Sequence, residues 1–367
     1  VVRVTQPRPR TSARRRAERR GTAPFGRVPL PPLAAALSVL LAVAMLVAIG
    51  IGSVDIALSD AWQVIVDRVA GRPPADVVDD QILWTYRVPR VLLAALCGAG
   101  LSVAGVVLQA VVANPLADPY ILGISSGASV GAVLVMTATS GVFAGLAGLG
   151  VAGAAFLGAL LAVVLVFALG RHGGRLVPTR LVLAGVAVGY LLAAVTSFIQ
   201  LQANPNELRR VMFWMLGSVA GAQWEQLPLT AVVVLASTGL LVLYGRRLNA
   251  LVTGEESATA LGVDVWRLRV GLLVTASLLT ASLISVAGGI GFVGLMIPHL
   301  VRLAFGVDHR RLLPLSALIG ASYLVLVDLL ARSVDPPNEL PLGIVTAVFG
   351  APFFVWLIRR GRGLEAA

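Results

Sequence analysis

Val91-Leu-Leu-Ala-Ala-Leu-Cys-Gly-Ala-Gly-Leu-Ser-Val-Ala-Gly-Val-Val-Leu-Gln-Ala-Val-Val112 decides the fold. This stretch carries no charge, and a helix of about 20 apolar residues crosses the hydrocarbon core of a bilayer. Comparable runs recur near 33–53, 121–139, 147–169, 181–200, 228–244, 270–287, 312–331 and 341–358. A shorter stretch at 292–306, interrupted by Gly294 and Pro298, supplies one more crossing. Hydrophobic residues make up 57% of the 367 residues and charged residues 13%. That composition fits a single helical membrane domain over 31–360 rather than a soluble domain with an anchor. The expectation is an all-α polytopic membrane protein with ten transmembrane helices. No connecting segment is long enough for a separate globule; the longest, about 54–89, has room for a short interfacial helix.

The charged residues supply the topology. Every basic residue is arginine, which excludes a Schiff-base lysine and a P-loop lysine, so the chain is not itself a P-loop ATPase. Nine arginines fall in the first 27 residues among Pro, Ser and Thr, with no apolar face. Residues 1–30 therefore read as a disordered cytoplasmic tail and 361–367 as a short C-terminal one. The apolar run after the first tail is too long for a signal-peptide core and no small-residue cleavage site follows it, so it is read as a retained span. With the N-terminus inside, the inner segments hold 22 arginines and the outer ones 7: Arg68, Arg72, Arg87, Arg90, Arg209, Arg210 and Arg332. Arginine excess marks the cytoplasmic side, which places both termini there. The net charge of +11 is thus accounted for by topology, and nucleic acid is not an expected partner.

Two irregular stretches interrupt the spans, 114–123 and 292–306. Ser102-Val-Ala-Gly105 recurs as Ser285-Val-Ala-Gly288, and at the same offset Pro115 matches Pro298 and Gly123 matches Gly306. The spans concerned run in opposite directions, so the expectation is an inverted repeat with paired breaks, a common transporter plan. Gln109, Asn114, Pro115, Leu116 and Pro298 are the pathway or gate candidates. Gly127/Gly131 and Gly185/Gly189 have the four-residue spacing of close helix packing. Asp328 is the one clear intramembrane acid; Arg332 one turn later reads as its structural partner. Cys97 reads as a small buried hydrophobe. His172 and His309 read as solvated loop residues and His299 as a helix-end residue. No metal site, catalytic set or dinucleotide fingerprint is present in the sequence. A proton-coupled transporter would want more than one buried acid, and an intramembrane enzyme lacks its residues.

The inner segment 253–269 is different. Thr253 and Glu256 have capping-box spacing, Glu255 and Glu256 suit the positive end of a helix, and Gly262 suits a left-handed stop. Asp264 is placed to cap a second short helix. Two short helices about a glycine form a compact docking knob on the cytoplasmic face.

Four stretches together resemble one family. They are Arg87-Val-Pro-Arg90 leading to Gln109, Asn114-Pro-Leu-Ala-Asp-Pro-Tyr-Ile-Leu-Gly-Ile-Ser-Ser-Gly-Ala128, and Gly254-Glu-Glu-Ser-Ala-Thr-Ala-Leu-Gly262. The fourth is Gly291-Phe-Val-Gly-Leu-Met-Ile-Pro-His-Leu-Val-Arg302, with Asp328 to Arg332 and Glu339 to Gly343. The chain is similar to FecCD-type permeases, the transmembrane subunits of ABC importers for ferric siderophores, haem and vitamin B12. The resemblance implies a type II ABC importer permease fold in a bacterial cytoplasmic membrane. It implies a second permease subunit, two cytoplasmic ATPases that bind the ATP and Mg, and a periplasmic or lipid-anchored binding protein. This chain then holds no cofactor of its own, is not an enzyme, and meets only membrane lipid besides these partners. Gly254, Glu255, Glu256, Ala258, Leu261, Gly262 and Val263 become the ATPase-coupling residues, and Arg87, Arg90 and Arg332 the arginines that dock the binding protein. A ferric siderophore is the expected substrate, with haem or vitamin B12 as alternatives.

Overall fold

The computed structural model describes residues 23–26, 28–52, 56–73, 76–137, 148–173 and 175–360. The tails expected over 1–30 and 361–367 lie outside the described residues, apart from 23–26 and 28–30. Those residues lie on the surface but are tethered to the bundle. Phe25 N–H donates to Ala304 O at 3.0 Å, its ring meets Phe305, and Arg311 donates to the carbonyls of Gly26 and Val28.

The first half of the chain forms α1 (Leu30–Gly50), α2 (Leu58–Val69), α3 (Val77–Val112), α4 (Ile124–Thr137), α5 (Gly150–Gly170) and α6 (Pro178–Leu201). A short hairpin, Arg171–His172 with Arg175–Leu176, joins α5 to α6. The second half forms α7 (Pro205–Met215), α8 (Leu227–Leu243), α9 (Gly245–Val252), α10 (Glu255–Ala260), α11 (Val265–Ala287), α12 (Val293–Phe305), α13 (His309–Ser333) and α14 (Leu342–Arg360). Eight helices among the described residues are long and apolar enough to cross a membrane. The expected count of ten is corrected in this respect: α4 and α12 are only 14 and 13 residues long. At 1.5 Å per residue each covers about 20 Å, short of a hydrocarbon core of about 30 Å. The physical reason lies in their ends. Pro115, Pro119 and left-handed Ala113 (φ 52°) keep the chain irregular before α4, while Phe292 (φ 66°) and Gly306 (φ 95°) bound α12.

The central post is α3, with 78% of its apolar window buried against 22% for α1, α6 and α8. Around it pack α13, α11, α12 and α8. Small residues permit the approach: a Cβ on Gly98 would lie 2.1 Å from Gly320 O, and one on Gly105 1.9 Å from Gly294 O. Three of the four expected glycines also pack closely, Gly189 being the exception. Gly127 and Gly131 abut Gly158 and Ala154 of α5, and Gly185 abuts Ile121. The start of α3 is extended beyond the expected run by a π-helical turn, Gln81–Arg87. Proline crowds a regular preceding turn, and the widened turn directly before Pro89 relieves that crowding. Trp224 stacks on Trp84 and donates to its carbonyl at 2.7 Å, which ties the start of α8 to this turn.

The expected sequence repeat does not survive in register. Ser102–Gly105 lies in the middle of α3, whereas Ser285–Gly288 closes α11; Pro115 is in a loop and Pro298 inside α12. What the halves share is order. A long helix, a break, a short apolar helix and two long helices occur both in α3–α6 and in α11–α14.

Candidate functional site

Two polar clusters lie at opposite ends of the bundle, linked by α13. Asp308 caps one end of it and Asp328 lies near the other, about 30 Å away at helical rise.

At the α9–α10 end a cavity of about 810 Å³ is lined by Gln109, Asn114, Pro115, Gly254, Glu255, Arg269 and Arg302, among others. It brings three gate candidates and two coupling candidates into one space. Gln109, 3% exposed, cross-links α3 to α12. Its amide donates to Gly294 O at 3.3 Å and Leu295 O at 3.4 Å, and its carbonyl accepts from Arg302. Asn114 Oδ1 accepts from Leu116 N–H at 2.9 Å, closing a turn that leaves Leu116 exposed. Pro298 is buried inside α12, away from this lining. Asn249, which carries no local sequence signal, organises the cavity wall. Its amide donates to Asp308 at 2.7 Å, and its carbonyl accepts from His309 N–H at 2.9 Å. Burial raises the Asp308 carboxyl, but hydrogen bonds from Asn249 and Arg310 N–H, with the Arg310 and His309 charges, outweigh it and hold the group below its ordinary value.

The short helix α10 stands on this cavity. Gly254 precedes it at φ 113° and Gly262 follows it at φ 78°, the left-handed conformation expected there. Glu255 pairs with buried Arg269 at 2.6 Å, while Glu256 shares the first turn. Ala258 is fully buried beneath the helix and Leu261 is 71% exposed. The expected capping box is corrected: Gly254 is the cap, and Thr253 Oγ1 donates to Ala250 O at 2.8 Å instead. Asp264 accepts from Arg267 N–H at 3.0 Å and caps α11 itself. The second short helix is therefore α9, ahead of α10, and Val263 lies in the link to α11.

At the other end the three expected docking arginines are brought together, but by internal partners. Arg87 is buried and donates to Ile49 O at 2.9 Å and Gly50 O at 2.7 Å, closing the end of α1. Arg90 grips Asp328, with Nε 3.0 Å from both carboxylate oxygens, and pairs with Glu339 at 2.8 Å. Arg332 lies 3.7 Å from Asp328 and donates to Ala48 O. The local Asp328–Arg332 pair is thus real, and its stronger partner is Arg90. Glu339 is the exposed member. Exposed ion pairs contribute little, so Glu339→Gln should cost below about 1 kcal/mol; a thermal melt in detergent close to wild type is the expected reading.

Two histidine expectations are corrected. His309 is 5% exposed, with Nδ1 2.8 Å from Asn249 Oδ1, and His299 is fully buried inside α12, edge-on to Phe353. The side chain of His172 lies outside the described residues. Cys97 is buried. Among the described residues no three His, Cys, Asp or Glu side chains gather as a metal site.

Residues 40–360 match the FecCD transport family. The chain is 47% identical over 278 residues to the cobalamin import system permease protein BtuC of Halobacterium salinarum, covering 76% of this chain and 73% of that one. It is 44% identical to the vitamin B12 import system permease protein BtuC of Vibrio cholerae, over 77% of this chain and 84% of the relative. It is 40% identical to the Fe(3+) dicitrate transport system permease protein FecD of Escherichia coli, over 77% and 86%. A solved metal-chelate type ABC transporter in an inward-facing conformation superposes with a TM-score of 0.78 at 33% identity, over 90% of this chain and 99% of that one. These relatives are named as permease proteins of transport systems, and the match takes in both polar clusters: the chain belongs to the FecCD transport family.

Proposed function

We propose that this chain is the permease subunit of an ATP-driven importer and moves a bulky metal chelate to the cytoplasm by alternating access. The observation that carries this is the shared cavity at the α9–α10 end. Gln109, Asn114 and Pro115 border the same space as Gly254, Glu255 and Arg269, so a push on α10 reaches the gate candidates directly. In this reading that end is cytoplasmic. A partner ATPase, which binds the ATP and Mg, seats on Gly254, Glu255, Glu256, Ala258, Leu261, Gly262 and Val263. The little-buried apolar faces of α5, α6, α8 and α14 are available to lipid and a second permease subunit.

The opposite end faces the binding protein. Arg87, Arg90 and Arg332 are too buried to act mainly as free charges. They fix the ends of α1, α3 and α13 beneath the docking surface, and Arg90 with Glu339 lies nearest to it.

The substrate expected is a ferric siderophore. Cobalamin is the second reading, favoured by the 47% and 44% identities to permeases named for it. Uptake of radiolabelled ferric siderophore and cobalamin, in cells with and without this chain, tests both. Dependence of one uptake on the chain and on ATP identifies the substrate. Uptake of neither would remove both of these readings and leave haem, the other expected alternative, to the same assay.

A further inference from the structure

A second cleft, of about 430 Å³, opens between α8 and α11. Its walls are Leu240, Leu241, Leu268 and Leu272, and its mouth carries Arg247 and Arg267 beside Tyr244. Arg267 is 86% exposed on its side chain and pairs loosely with Asp264 at 3.2 Å. Arg247 lies 4.9 Å over the Tyr244 ring and makes no ion pair among the described residues. The mouth is therefore net positive, with one guanidinium free of any carboxylate. At the floor, an added Cβ on Gly271 would meet nothing within 4 Å, so helix packing does not fill the groove. The adjoining face of α8 is apolar and open, with Leu243 81% exposed.

We infer that this cleft binds one anionic phospholipid of the cytoplasmic leaflet. The phosphate sits between Arg247 and Arg267, and an acyl chain lies in the groove over Gly271. This rests on the reading that the α9–α10 end is cytoplasmic, since only then do the arginines lie at a headgroup level with the groove running into the hydrocarbon. Charge and shape select the occupant together. The arginine pair favours an anionic headgroup, and four leucines leading away from it match a hydrocarbon tail rather than a soluble anion. Gly262, Val263 and Asp264 also line the cleft. A bound lipid would therefore touch the link between α10 and α11 and steady it.

The test is retention of phosphatidylglycerol by the full-length protein in detergent, read by native mass spectrometry against phosphatidylcholine. Preferential retention of one phosphatidylglycerol is expected. Each of Arg247→Gln and Arg267→Gln should weaken it by about fivefold, as expected for one surface arginine against an anionic headgroup. Gly271→Leu fills the groove without a backbone clash and should also displace the lipid, leaving both arginines in place. Equal retention of the two lipids overturns the proposal, as does wild-type retention in all three variants. Competition by glycerol phosphate alone would make this a site for free anions and overturn it too. Loss of the lipid on adding the ATPase would assign the cleft to that partner instead. Uptake by the wild type is measured separately, so a failed importer reading and an empty cleft are told apart.

Discussion

Asp328→Ala is expected to give the largest loss of stability of any single substitution at the arginine end. Asp328 is 1% exposed and accepts from Arg90 at 3.0 Å, with Arg332 at 3.7 Å. Without the carboxylate, buried Arg332 is left with no ion pair among the described residues, and half-buried Arg90 keeps only the exposed Glu339. Removing one partner from a buried ion pair costs about 3–5 kcal/mol, a large share of the roughly 5–15 kcal/mol that holds a typical protein folded. Arg90 ties α3 to α13 through Asp328, and Arg332 ties α13 to the end of α1, so the loss should loosen three helices together. A thermal melt of the detergent-purified protein should show a much lower midpoint, with little monodisperse material recovered. Asp328→Asn keeps the volume and loses the charge, and should fall nearly as far. The double change Asp328→Ala with Arg90→Met should recover part of the loss, because the two residues act as one unit. A melt for Asp328→Ala equal to that of Glu339→Gln would show that the cluster is solvated and carries no such burden.

That asymmetry also marks what a single sequence can disclose. The apolar runs were legible because a bilayer imposes composition directly, and eight of them are helices of spanning length. The first turns of α3 were not, because Asp79, Asp80, Arg87 and Arg90 interrupt the apolar signal. Those charges sit in or beside a helix because distant groups answer them: Arg68 holds Asp80 at 2.7 Å, and the end of α1 takes Arg87. No local pattern contains such a pairing. The same holds for Asp328, whose partner at Arg332 has helical spacing and was visible, whereas Arg90 lies 238 residues away. Around α10 the misreading was local. Thr253 and Glu256 have capping-box spacing, but Gly254 at φ 113° turns the chain so that the threonine cannot reach the helix end. Asn249 had no signal at all, since its role comes from the approach of α9 to the start of α13.

Gly254→Val and Gly262→Val are expected to give the largest loss of transport, in a protein that still inserts and folds. The two glycines bracket the six residues of α10 at φ 113° and 78°, and an added Cβ at either would meet nothing within 4 Å. The Cβ itself clashes with no neighbour, so the substitution acts first on the backbone. Holding a non-glycine residue in such regions costs about 1–3 kcal/mol. The inexpensive relief is for α10 to turn, because the helix is short and largely exposed. What holds it is buried Ala258 and the Glu255–Arg269 pair. Turning it moves Gly254 and Glu255 relative to Gln109 and Asn114 across the shared cavity. In vesicles reconstituted with the ATPase and the binding protein, uptake and substrate-stimulated ATP hydrolysis should fall together by about tenfold, the equivalent of about 1.4 kcal/mol. Gly262→Asn separates conformation from side-chain bulk, since asparagine visits the left-handed region with less penalty, and it should retain most of the uptake. Normal uptake and normal stimulation in both valine variants would remove α10 from the coupling path. A fall in uptake with ATP hydrolysis unchanged would instead place these glycines at the gate, on the cavity side of the same helix.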